Sequence, residues 1–266
     1  MSGASIPARA DYGGGCYRRA IVLDAEPGRV RGELADDFHH FAVEIRHDGR
    51  TVTAVDGEPV RVPWTTCPGA LAPLRMLEGA PLATPLLDLA RRSPAREQCT
   101  HWHVVACLAV THAERFAQGG WASRRYDFAM PDRAERRTGP TLERDAEPVL
   151  AWTLRGMEIV AAGDEALVGT AVGDRAFRDV LGARAEANDA EWVEAAWVMQ
   201  RSAFTGLGRQ HDFEAMETAV EFGALVAGTC HTYAAERMHE GRRNRGTVRE
   251  FGDPAARPLP GGRTRR

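Results

Sequence analysis

Phe38-His-His-Phe-Ala-Val-Glu-Ile-Arg-His-Asp-Gly-Arg-Thr-Val-Thr-Ala-Val55 decides the class of this fold. Up to Arg46, apolar and polar residues alternate with the period of a strand that has one buried face. His47-Asp-Gly-Arg50 then makes a turn, and Thr51-Val-Thr-Ala-Val55 resumes a β-branched run. Strand, Asp-Gly turn and strand together predict a hairpin. Upstream, Tyr17 to Leu23 and Val30 to Leu34 read as two more strands, and a short strand leads on to Pro63. The N-terminal part is predicted to be an antiparallel meander.

Helical spacing takes over after Pro63. Ala70 to Leu77 is apolar at helical intervals and stops at Gly79, and Leu82 to Ala90 is shorter. Thr100 to Phe116 repeats Trp102, Val105, Ala106, Ala109 and Val110, which predicts a long buried helix. Tyr126 to Met130 and Val149 to Val160 read as strands of a second layer, joined by an Arg-rich connection. From Asp189 the chain is helical again: Asn188-Asp-Ala-Glu191 resembles a capping box, and Phe213 to Tyr233 forms another amphipathic helix. The expected architecture is α+β, an antiparallel meander packed on helices with a second β layer and C-terminal helices. Its expected parts are a flexible stretch 1–15, an α+β part 16–120, a β layer with helices 121–252, and a disordered tail 253–266.

Composition narrows the chemistry. With 266 residues, 44% of them hydrophobic, the chain can fill a real core. A net charge of -3 argues against a nucleic-acid partner. The opening residues lack an apolar h-region, and no window approaches the roughly 18 apolar residues of a membrane span. The expectation is a soluble cytoplasmic protein with a small-molecule substrate. Five cysteines at irregular spacing do not make a disulfide framework. All basic side chains are arginine, so Schiff-base chemistry and a P-loop lysine are excluded. No Gly-x-Gly-x-x-Gly follows a strand-like run, which leaves a nucleotide cofactor without support.

Two cysteines stand where helices begin. Pro68 suits a first helical turn, which places Cys67 at or near a helix start, and Cys99 precedes Thr100. Helix N-termini favour a thiolate. His101 and His103 follow in the first turn of the long helix, pointing in different directions, and Asp36-Asp-Phe-His-His40 offers carboxylates and imidazoles from the meander. Cys67, Cys99 and Asp37, with His39, His40 or His101, would suit zinc or iron, and three ligands with an open position would make the metal catalytic. A reactive thiol is the other functional reading, and ordinary packed cysteines are the bland one. Arginine-rich Gly241-Arg-Arg-Asn-Arg245 could clamp an anion or be a solvated surface, and Arg201 is similarly ambiguous. Trp64, Tyr126 and Arg245 are the candidate substrate contacts.

Asp36-Asp-Phe-His-His40, the His47-Asp-Gly turn, Arg61-Val-Pro-Trp-Thr-Thr-Cys-Pro-Gly-Ala70, Cys99-Thr-His101 and Arg125-Tyr-Asp127 resemble a bacterial family labelled domain of unknown function 2889. So do Cys230 and Arg249-Glu-Phe251. The label brings no established activity. The order of meander, Cys67, a helix ending at Gly79, and Cys99 opening a long helix is similar to the NifU-like iron–sulphur scaffold proteins. That resemblance implies that Cys67, Cys99 and an acidic residue, Asp37 with His39 as alternative, gather round zinc or a cluster. The family's first cysteine has no counterpart in the meander. The expectation is a metal- or thiolate-dependent lyase or hydrolase acting on a small carboxylate or aromatic substrate, with an iron–sulphur or metal carrier as the alternative.

Overall fold

The structure, a computed structural model, describes residues 6–94, 96–251 and 257–260. The meander is β1 (Cys16–Glu26), β2 (Arg29–Asp36), β3 (His40–His47) and β4 (Val52–Arg61), each antiparallel to the next. At the β3–β4 turn Gly49 takes φ 88, and Asp48 Oδ1 accepts from the amides of Arg50 and Thr51. That is how an Asp-Gly pair closes a hairpin.

Over the meander lies α3 (Thr100–Ala117), after the short α1 (Leu71–Leu74) and α2 (Leu86–Arg91). Two glycines let it approach. A Cβ on Gly32 would come within 2.7 Å of Val105, and one on Gly57 within 2.5 Å of Trp102. Trp102 is fully enclosed and donates its indole N–H to the Ala42 carbonyl at 2.7 Å. Its hydrophobic surface is buried without stranding a donor.

The chain then forms β5 (Ser123–Pro131), β6 (Arg137–Thr138), β7 (Thr141–Arg144), β8 (Glu147–Arg155) and β9 (Glu158–Ala162). The fold is α+β, with helices following the strands. The strands expected as a second layer continue the first sheet, because β5 pairs antiparallel with β1 from Cys16↔Pro131 to Asp24↔Ser123. The order is β4-β3-β2-β1-β5-β7-β8-β6, with β9 on β8. The span read as one strand to Val160 turns at Gly156, whose φ is 64.

Three helices follow: α4 (Arg175–Glu186), α5 (Ala190–Gly206) and α6 (Val220–Val226). Asp174 caps α4 by accepting from the Phe177 amide, a start that the sequence reading passed over. Asn188 is not a cap of α5. It sits at φ 59 between the two helices. The helix expected from Phe213 to Tyr233 shrinks to α6, because Glu221 turns back to accept from the Glu217 and Thr218 amides, and Gly228 takes φ 72. Among the described residues no helix is long and apolar enough to cross a membrane.

Both ends are tied down where they are described. Arg9 N–H bonds the Gln210 carbonyl, and the amides of Gly13 and Gly15 bond Asp132 Oδ2. Of the tail 253–266, residues 257–260 are described. Leu259 is buried against Ala20, Val22 and Ala35, and Arg125 donates to the carbonyls of Leu259 and Pro260. The rest of the stretches expected to be flexible, 1–5, 253–256 and 261–266, lies outside the described residues.

Candidate functional site

Asp36 ends β2 with its carboxylate turned inward, and it is fully enclosed. Oδ1 accepts from the amides of Phe38 and His39, both at 2.8 Å, and meets His39 Nδ1 at 3.0 Å. Oδ2 accepts from Tyr17 Oη at 2.8 Å and from Arg19 Nε and Nη2 at 3.0 and 2.7 Å. Burial alone would raise this carboxyl, but the surrounding His39 and Arg19 hold it well below the usual carboxylate range. An ionised Asp36 makes Nδ1 of His39 the protonated nitrogen, so the lone pair lies on Nε2.

His39 stacks on His101, with ring centroids 3.8 Å apart and planes 23° from parallel. His101 comes from the first turn of α3. Its Nε2 lies 3.2 Å from Thr205 Oγ1 near the end of α5, and Thr205 commits its single hydroxyl proton to the Arg201 carbonyl at 3.1 Å. Thr205 therefore accepts from His101 Nε2–H, which leaves Nδ1 unprotonated and facing Cys99 Sγ at 3.8 Å. Burial pushes both imidazoles down, His101 furthest, where the neighbouring His39 adds to the effect. Both are neutral near pH 7. His39 keeps 12% of its side chain exposed, and His101 is part-exposed.

Cys67 and Cys99 stand at helix starts: Cys67 opens a 3-10 turn to Ala70, and Cys99 is the N-cap of α3. The thiolate expectation is reversed. Burial pushes Cys67 up to about 12 and Cys99 well above an ordinary thiol. The partial charge of a helix end does not offset the desolvation of a nearly enclosed sulphur. The two thiols share a neighbourhood with Cys230, close enough for each charge to bear on Cys99. The segment carrying Cys230 bridges them: Thr232 Oγ1 is 3.5 Å from Cys67 Sγ, and His231 N–H donates to the Gln98 carbonyl beside Cys99.

Asp37 does not join this group. It follows the end of β2, and its carboxylate lies 3.6 Å from Arg209 Nε, beside Asp132. Among the described residues the three whose ligating atoms converge, within 4.8 Å, are Asp36, His39 and His101. Cys67, Cys99 and Asp37 are not brought into one coordination set. His40 points elsewhere, 3.3 Å from Glu33.

The candidate substrate contacts are also apart. Trp64 is enclosed, its indole N–H on Tyr233 Oη at 2.9 Å. Tyr126 is enclosed on the Glu194 carboxylate, where Arg115 and Arg124 also converge. Arg245 is a surface residue paired with Glu217 at 3.0 Å. Asp36 was passed over for Asp37, and Thr205 as the partner of His101, with Tyr17 and Arg19 as the partners of Asp36, were missed. Tyr17 and Arg19, two apart on β1, carried the signal: alternation puts them on one face. No family model matches this chain, and none of the curated proteins matches it.

Proposed function

We propose that the chain is an enzyme, a lyase or hydrolase, that moves protons on a small carboxylate or aromatic substrate at the His39–His101 pair. One observation carries this reading: Asp36 fixes His39 by its Nδ1–H while His39 stacks on His101. The carboxylate selects the tautomer and leaves Nε2 as the base, and burial keeps that base neutral at the working pH. The Cys99 thiol, kept protonated by burial, faces His101 Nδ1 at 3.8 Å and helps to hold that ring's tautomer.

A second reading follows from the convergence of Asp36, His39 and His101, a donor set that zinc or iron accepts. Two features weigh against it. The donors already on Asp36 fill the roughly four lone-pair positions of a carboxylate. Near-parallel stacked rings also direct their in-plane lone pairs side by side, not toward a common point.

Turnover of a panel of small hydroxy acids, aryl esters and aromatic acids, before and after chelation, separates the two. The acid–base reading expects activity that survives chelation and falls by roughly 100-fold or more in His39→Gln and in His101→Gln. Activity lost on chelation and restored by zinc transfers the site to the metal. Full turnover in both folded variants overturns the role of the histidines.

A further inference from the structure

Arg201 is a part-exposed cation whose Nε is enclosed, and among the described residues it has no counter-ion. It lies on α5 one turn before Thr205, on the side that meets α3. Its Nε is enclosed and has no hydrogen-bond partner, and among the described residues its guanidinium makes no ion pair. What surrounds it is apolar, neutral or positive. Trp197 presents its ring 5.6 Å from Cζ. Cys107 and His103, in contact at 3.6 Å on α3, are both buried and both neutral, burial pushing the thiol up and the imidazole down to about 3. Arg178, from α4, adds like charge.

Among the described residues, the more deeply enclosed guanidiniums are each matched by a carboxylate. Arg19 grips Asp36, Arg209 lies between Asp37, Asp132 and Glu250, and Arg243 holds Glu214. An aromatic face offsets part of the desolvation of a cation but accepts none of its N–H bonds in the guanidinium plane. The residue as a whole is part-exposed, so its outer edge can be reached.

We propose that Arg201 is an anion-binding residue whose guanidinium fork takes the two oxygens of a small carboxylate or oxyanion at the seam of α3, α4 and α5. Bound at the exposed outer end of the guanidinium, the anion would supply the missing counter-charge and neutralise the Arg178–Arg201 repulsion. Nothing in this inference depends on the histidine pair being catalytic.

The test is an NMR titration of the arginine Nε–H resonances of the whole chain. Acetate and inorganic phosphate serve as probes, with chloride at matched ionic strength as the control. One Nε–H signal, absent from Arg201→Met, is expected to shift saturably with acetate, phosphate or both, and not with chloride. The affinity read from backbone amides around α5 should be at least about tenfold weaker in Arg201→Met, as expected for losing charge-assisted hydrogen bonds. If Arg201→Met does not fold, Arg201→Gln replaces it. No saturable shift with either probe, or the same affinity in the folded variant, overturns the proposal. The outcome is independent of the turnover assays on His39 and His101.

Discussion

Asp36 and Asp37 are adjacent and equally enclosed, yet their surroundings push the two carboxyls in opposite directions. Asp36 accepts from two backbone amides, Tyr17, His39 and the fork of Arg19. Asp37 has only a long contact from the Arg18 amide at 3.4 Å, and its Oδ2 makes no hydrogen bond. Burial, with the charge of Asp36 beside it, pushes Asp37 up to about 8. Arg209 does not reverse this. It is shared with Asp132 and Glu250 and lies 3.6 Å off. What separates the two is direct contact with positive charge and donors: His39 and Arg19 touch Asp36, whereas Arg209 stands off from Asp37 and is shared.

The largest effect should come from breaking the satisfied side. Asp36→Ala strands the enclosed Arg19 and frees Tyr17 Oη and two amides. A loss of about 3–5 kcal/mol is expected in urea denaturation, the usual result of removing one partner of a buried ion pair. A cost below about 1 kcal/mol would mean that Arg19 finds water when Asp36 is gone.

Asp37→Asn sharpens the contrast through pH. A carboxyl raised in the folded state binds its proton more tightly there than in the unfolded chain. Its contribution is therefore fully present below the unfolded value of 3.8 and is lost as pH rises toward about 8. The wild type should lose stability relative to Asp37→Asn across that window, by up to about 1.4 kcal/mol per pH unit. Parallel stability curves from pH 4 to 9 would remove the distinction between the two aspartates.

The histidines give a smaller effect of opposite sign. Their folded values lie below the ordinary 6.5, so the unfolded chain binds protons first and stability falls as pH drops below that value. His101→Gln should flatten the loss between pH 6.5 and 5, by about 1 kcal/mol per pH unit at most. An unchanged slope would mean that His101 is solvated.

Cys67→Ser is the mildest. A hydroxyl replaces a neutral thiol beside Thr232 Oγ1, which can hydrogen-bond it. The cost should be about 1 kcal/mol, toward the low end for a partly satisfied buried hydroxyl. A fall in bound metal in the folded variant would return Cys67 to the role of ligand.

The hairpin at Asp48-Gly49, the meander around it, the long helix opened by Cys99 and the α+β class were all legible, because each rests on local chemistry: period, turn residues and caps. The sequence also put His39 and His101 among a few candidates, since chemistry-bearing residues cluster at the ends of those elements. It could not choose between Asp36 and Asp37. Both carboxylates stand where β2 ends, and which of them meets the histidines is set by tertiary contacts with Tyr17, Arg19 and Arg209. Nor could helix ends predict the protonation of Cys67 and Cys99, because desolvation depends on what covers them, here a segment more than a hundred residues away. The isolation of Arg201 is likewise invisible in a chain with 37 acidic residues. Only the fold decides that none of the described ones comes near, because charge pairing is a matter of distance and distance belongs to the tertiary structure.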